Sequence, residues 1–245
     1  MLYKLSAHNH KQPFKGPFTI TRVQTTGNIL RDKAKDTAFG SLSYIDHAVM
    51  KKGLTIKMHE HVNDEILSYV WKGKMYHRDS AGLEVPITPG NLMMMNAGSS
   101  FWHEEKVKED YVEMLQIFVR PKSTDLEPNI QFHKKPISNS DWYWMVGPEE
   151  SNAPLHVRQN IYIYDAHPKQ GDTLEVPRKE GYQPFLYVLN GKITVGEEVV
   201  GKYEAITHDE NKLPNVNVEE NTTIVLFLVD MDASMSLTGT ISGRS

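Results

Sequence analysis

The sequence Tyr-Val-x-x-Gly-Lys stands twice in this chain, at 69–74 and again at 187–192. In each copy an apolar run meets a glycine, where a positive φ costs nothing, and a new run begins at lysine, which is the pattern of a β-hairpin. The order continues downstream: a further turn glycine, Gly90 or Gly201, is followed by a closing apolar run at 114–119 or 224–229. A motif that recurs in the same order marks a duplicated unit. The chain is therefore expected to fold as two related halves.

Local patterning gives the class of those halves. Short apolar and β-branched runs are broken every several residues by Gly, Pro, Asn or Asp, and long stretches of helical periodicity are hard to find. Candidate strands are 18–23, 54–61, 66–71, 74–78, 91–95 and 112–119 in the first half, then 155–164, 185–189, 192–195 and 223–229 in the second. The expected fold class is all-β. The stretch 121–141 is polar and carries Pro128, Pro136 and Ser138-Asn139-Ser140, the composition of a connector. The expected partition is an N-terminal domain over 1–125, a linker over 126–140 and a C-terminal domain over 141–245.

Composition narrows the function. Hydrophobic residues make up 39% and charged residues 24% of the 245, the balance of a soluble globular protein. The net charge of −4 is spread over mixed signs, so no basic face is available for direct nucleic-acid binding, and a small or neutral ligand fits better. Cysteine is absent, which removes disulfides, iron–sulfur clusters, thiolate zinc sites and cysteine nucleophiles. Any metal must then use nitrogen and oxygen ligands. No apolar run has the length of a signal-peptide core at the start or of a bilayer span later, so a cytoplasmic protein with no membrane attachment is expected.

His59-Glu60-His61 and His103-Glu104-Glu105 are the motifs that carry chemistry. Side chains two apart on a strand share a face, so His59 and His61 reach one ion together, and His103 and Glu105 do the same. The turn Pro89-Gly90, the apolar run 92–95 and Asn96-Ala97-Gly98 lie between the two motifs. Hairpins there would bring both onto neighbouring strands and close a four-ligand site. Burying these polar groups without a partner would cost several kcal/mol, which a bound cation offsets.

The series His59-x-His61-x-x-x-Glu65, Tyr69-Val70-x-x-Gly73, His77-Arg78-Asp79-Ser80, Gly90, Ala97-Gly98 and His103-x-Glu105 resembles the pirin family of the cupin superfamily. The resemblance is carried by residues 50 to 120 and extends further through length and the duplicated pattern. It implies a bicupin, two tandem jelly-roll-like β-barrels with few short helices, holding a metal in the N-terminal barrel. The family's ligands fall on His59, His61, His103 and Glu105. The wider cupin pattern would draw its carboxylate from Glu65 instead, which makes Glu65 the alternative ligand or a pocket residue. The Glu65-to-Gly73 spacing is one longer than the usual cupin pattern and agrees with pirins, which favours Glu105. Where the family commonly reads His-Pro-His-Arg-Gly, this chain has Glu60, Val62 and Asn63, and it has Asn96 where Thr is common. These changes lie beside the ligands and are expected to reshape the pocket mouth. Counting back from Tyr187 puts Pro177, Lys179 and Gln183 at the places of His59, His61 and Glu65, so the second barrel is expected to lack a site.

The family metal is usually iron, and some members open the flavonol quercetin with dioxygen. The expected cofactor is Fe(2+), although the same donor atoms accept Mn, Ni, Cu, Co or Zn. The expected partners are a small aromatic enediol and dioxygen, with Glu105 as ligand and catalytic base. A metal-responsive regulator that binds a protein partner without turnover is the alternative. Of the remaining candidates, His77 reads as a structural hairpin residue beside the pocket. Phe101 shares the His103 face and is expected to line the cavity. His8 and His10 read as exposed, and His133, His156, His167 and His208 have no ligand partner at suitable spacing.

Overall fold

The computed structural model describes residues 1–23 and 36–243. Its strands are, in chain order, β1 (Leu2–Leu5), β2 (Lys11–Phe14), β3 (Phe18–Val23), β4 (Leu42–Lys51), β5 (Thr55–His61), β6 (Glu65–Lys72), β7 (Met75–Asp79), β8 (Glu84–Ile87), β9 (Asn91–Asn96), β10 (Phe101–Lys106), β11 (Tyr111–Val119) and β12 (Asn129–Lys134). The second half adds β13 (Tyr143–Pro148), β14 (Leu155–Val157), β15 (Ile161–Ala166), β16 (Thr173–Leu174), β17 (Tyr182–Asn190), β18 (Lys192–Val195), β19 (Glu198–Gly201), β20 (Ala205–His208), β21 (Val216–Val218) and β22 (Thr223–Asp230). Among the described residues the helical content is one 3-10 turn at Ala7–Asn9, and no helix is long and apolar enough to cross a membrane.

Each half is a sandwich of one large and one small sheet. The first pairs the order β12-β9-β6-β11-β4-β3-β2 with β5-β10-β7-β8, and the second pairs β1-β20-β17-β22-β15-β13-β14 with β16-β21-β18-β19. The two orders match position by position, with β6 answering to β17, β11 to β22 and β4 to β15. This is the duplicated all-β architecture that the repeat announces, and Gly73 and Gly191 turn at the matching hairpins with φ of 81° and 85°.

The two large sheets pack face to face, so each is covered on both sides. Leu92 and Met94 of β9 face the shared core with Leu67, Leu115 and Ile117, against Phe185, Val225 and Phe227 of the second half. Met93 turns the other way, to Met50, Met75 and Met114 inside the first barrel, and Met95 joins Tyr44, Ile66 and Phe118 there. The run 92–95 is apolar without alternation for that reason: strand side chains point to opposite faces, and here both faces are dry.

The structure departs from the expected partition at three places. Segment 1–125 does not stay with the first barrel, because β1 pairs with β20 and forms the edge of the second barrel's large sheet. The expected linker 126–140 contains β12, which pairs with β9 and supplies the matching edge of the first. The end of the expected C-terminal domain returns to the first barrel, where Ser236 N donates to Pro121 O at 2.8 Å and Thr240 N to Val62 O at 2.9 Å. Each large sheet needs an edge partner for its backbone groups, and those partners come from distant parts of the chain that no local pattern identifies.

Candidate metal centre

The site is built on the small sheet of the first barrel. In β5 and β10 the register sets His103 opposite His59 and Phe101 opposite His61, so all four side chains leave the sheet on one face. One ligating atom from each of His59, His61 and His103 lies within 4.8 Å of the others. His61 and His103 are buried, while His59 is half-buried and stands at the rim.

Hydrogen bonds fix how these rings present themselves. His59 Nδ1 lies 2.8 Å from Lys57 O, and His61 Nδ1 lies 2.7 Å from Asp64 Oδ2. Carbonyl and carboxylate oxygens only accept, so each contact requires the proton on Nδ1 and leaves Nε2 with a lone pair. Those two Nε2 atoms face each other at 3.2 Å. His103 Nδ1 meets His77 Nδ1 at 3.3 Å, and the remaining His103 Nε2 is buried with no partner. Burial first, then the neighbouring imidazoles, hold His103 well below the usual imidazole range; burial lowers His59 as well and takes His77 down to about 4. Neutral rings with converging lone pairs repel one another unless a cation lies between them. Two nitrogens at about 2.1 Å from one metal are about 3.0–3.4 Å apart at right or tetrahedral angles, and the His59–His61 separation falls in that range. The residues fit a divalent cation.

Glu105 shares the buried face of His103 but stands outside the group of three mutually close ligands. A register shift against β5 between His103 and Glu105 separates them, and Gln116 Nε2 holds Glu105 Oε1 at 2.8 Å. Burial pushes its carboxyl up to about 7. The Phe101 ring lies 6.3 Å from that of His103 and 6.2 Å from that of His77. His77 is buried behind His103 and orients that ring rather than joining the three.

Glu65 does not face the site, and its expected place as ligand or pocket residue is corrected. It heads β6 on the side of Leu67 and Tyr69, which is the interdomain side, and Asn96 Nδ2 and Arg158 N donate to its Oε2. Alternation alone would keep Glu65 on the face of His59 and His61, but Asn63 between β5 and β6 has a φ of 52° and the face reverses there. Asn96, expected to shape the pocket mouth, is this interdomain partner instead.

Three residues of the site carried no sequence signal: Asp64, Gln116 and the strap-like tail contact at Ser242. Asp64 lies three after His61, but nothing in the spacing separates it from a solvated turn aspartate. In the second barrel the pair answering to His77 and Glu105 is Val195 and Val216, directly opposite on β18 and β21. They sit in an apolar interior with Leu174, Val176, Ile193 and Val218. Among the described residues the other group of close potential ligands is His208, Asp209 and Glu210, a run whose two acids are exposed. His167, read as isolated, joins Asp165 and Tyr69 at the domain interface.

Comparison with known proteins agrees with this architecture. The Pirin family profile matches residues 17–119, and the profile of the quercetinase C-terminal cupin domain matches residues 144–231. The chain is 21% identical over 192 residues to quercetin 2,3-dioxygenase of Escherichia coli K12, covering 77% of this chain and 82% of that one. It superposes with a TM-score of 0.82 on the bacterial pirin YhhW of Escherichia coli in complex with nickel(II), at 19% identity, over 94% of this chain and 99% of the other. A quercetin 2,3-dioxygenase structure from Acinetobacter baumannii gives 0.71 at 19% identity, over 95% and 86%. With both barrels matched in order, and three imidazoles converging in the first, this chain belongs to the pirin family of bicupins.

Proposed function

We propose that this chain is an iron-dependent oxygenase acting on a flavonol or a related aromatic enediol, with His59, His61 and His103 as ligands and Glu105 as the fourth. The reading is carried by the facing Nε2 atoms of His59 and His61, 3.2 Å apart, beside the unpartnered Nε2 of His103. Relatives named quercetin 2,3-dioxygenase support the substrate class.

Bound iron would supply a Lewis acid for the enediol oxygens and a redox partner for dioxygen. The chain's own residues do the rest. Lys57 O, Asp64 and His77 hold the three imidazoles in one orientation. His59, at the rim, marks the side open to substrate, and Phe101 offers a ring for an aromatic ligand to lie against. Gln116 keeps one oxygen of Glu105, leaving Oε2 to bind the metal or take the enediol proton. Phe118, Ile66 and Met95 keep the floor dry. A cytoplasmic setting is part of the proposal.

The test is elemental analysis of the purified protein followed by oxygen uptake under iron with a flavonol panel. About one iron per chain with flavonol-dependent uptake is the expected result. Bound metal without uptake would move the reading to a metal-responsive regulator with a protein partner, and no bound metal at all would sink the site.

A further inference from the structure

Behind His61 lies a contact that joins the metal centre to the far end of the chain. Asp64 is fully buried, and its carboxylate is shared between two masters. Oδ2 accepts from His61 Nδ1 at 2.7 Å and from Ile241 N at 3.1 Å, while Oδ1 accepts from Ser242 N at 2.8 Å and Ser242 Oγ at 2.7 Å. We propose that segment 236–243 is a positioning strap for the metal centre, holding His61 through Asp64 so that strap docking and cation binding are linked. The proposal rests on the metal reading of the three imidazoles.

The strap is fastened along its length. Val62 N donates to Thr240 Oγ1 at 2.8 Å, beside the Thr240 N to Val62 O bond, so the strap reads the backbone directly after His61. Asn63, at a φ of 52°, donates from Nδ2 to Thr238 Oγ1 at 3.1 Å. Ser242 O accepts from Ser43 Oγ at 2.7 Å and from Arg120 Nε at 2.8 Å, both buried. Ile241 packs on Tyr44, Ile66, Met95 and Phe118, and the Phe118 ring is 6.3 Å from that of His61. Gly239 passes so close that a Cβ there would meet Ser242 Oγ at 2.1 Å and Asp64 Oδ1 at 2.5 Å.

Asp64 could have been a loop residue turned to water. Instead it spends its acceptor capacity on the strap and on the one imidazole nitrogen that must keep its proton for Nε2 to bind a cation. A carboxylate that orients a ligating histidine is worth about 10–100-fold in metal affinity. If the strap fixes that carboxylate, releasing the strap weakens binding, and by linkage the cation tightens the strap by the same factor.

The experiment measures Ni(II) affinity of the full chain by chelator competition, together with hydrogen exchange at the Ile241 and Ser242 amides with and without Ni(II). Gly239→Val blocks docking while leaving every residue of the first barrel unsubstituted and is expected to weaken Ni(II) binding about 10–100-fold. Asp64→Asn offers an amide N–H to His61 Nδ1 and so favours the wrong tautomer, with a loss at least as large and a changed His61 ring ¹⁵N pattern. Ni(II) should slow exchange at both amides in the unsubstituted chain. Unchanged affinity in folded Gly239→Val, or metal-bound protein whose 241 and 242 amides exchange as before, overturns the strap while leaving the metal reading intact. If Gly239→Val does not fold, Asp64→Asn and the exchange measurement decide. An unsubstituted chain that binds no Ni(II) removes the metal reading, and the strap proposal falls with it.

Discussion

The hydroxyl of Tyr69 crosses the domain interface to Oδ2 of Asp165 at 2.9 Å. Its counterpart in the second barrel, Tyr187, crosses the other way, 2.8 Å from Nδ1 of His47. The rows match: Tyr69 is opposite Leu115, which is opposite His47, and Tyr187 is opposite Val225, which is opposite Asp165. The repeated Tyr of the hairpin motif is thus an interdomain hydrogen bond made twice. Glu113 Oε1 lies 2.8 Å from His47 Nε2, so Nε2 carries the proton and Nδ1 accepts from Tyr187.

The two tyrosines are not equivalent in what their loss exposes. Tyr69→Phe leaves Asp165 with Lys135 Nζ at 2.9 Å and His167 Nε2 at 3.1 Å, and should cost about 1 kcal/mol. Tyr187→Phe leaves His47 Nδ1 an unsatisfied buried acceptor and should cost about 1–3 kcal/mol. Urea unfolding of the two variants checks the order; a larger loss for Tyr69→Phe would contradict the assignment.

Glu65 predicts a pH dependence of stability. Burial is the main cause that raises its pKa from 4.5 to about 7, against the donors Asn96 Nδ2 and Arg158 N and the Arg158 charge, with Glu149 adding to the rise. A carboxyl raised in the folded state keeps its proton where the unfolded chain has lost it, so stability falls as pH rises from about 4.5 to about 7 and is level above. Glu65→Gln removes its own share of this slope, worth roughly 3 kcal/mol at most, and leaves that of Glu105, which burial also raises to about 7. Unfolding free energies of both proteins at pH 4.5, 6 and 8 make the comparison, and parallel curves would exclude Glu65 as the source.

Glycines with similar φ should respond differently to alanine. At Gly73 a Cβ would meet Tyr111 O at 2.0 Å, and at Gly191 Asn221 O at 2.5 Å, whereas at Gly53 and Gly82 nothing lies within 4 Å. Gly53→Ala and Gly82→Ala should cost only the left-handed backbone penalty, about 1–2 kcal/mol. Gly73→Ala and Gly191→Ala should cost clearly more, since backbone must move. Thermal melts of the four variants separate the pairs.

His77 and His103 separate a ligand from the residue behind it. His103→Ala should leave the purified, dialysed protein without stoichiometric metal. His77→Ala removes only the partner of His103 Nδ1 and should weaken binding about 10–100-fold with the fold kept. Equal metal content in both variants after dialysis against a weak chelator would show that the three-imidazole assignment is wrong.

The hairpin repeat, the strand class and the shared face of His59 and His61 were legible because each depends on spacing within a few residues: alternation puts i and i+2 on one face, and a glycine marks a positive φ. Glu65 was expected near the site from the wider cupin pattern, and the turn before it decides otherwise. Asn63 adopts a left-handed conformation between β5 and β6, and the face reverses there. The roles of Asp64, His47, β1 and β12 depend on partners on other strands or far along the chain, and no local periodicity carries that information. The continuous apolar runs held a clue. A strand buried on both faces implies that something covers the second face, and here it is the other barrel.

The exchange of ends between the barrels bears on how the molecule is made. When β1 leaves the ribosome its partner β20 lies some two hundred residues downstream in the message, a delay of about 10–40 s at about 5–20 residues per second. Through that interval β1 waits without its sheet, and segment 236–243, which closes on the loop after His61, emerges only after the strands of the second barrel. The first barrel therefore reaches its finished form only when synthesis of the second is essentially complete.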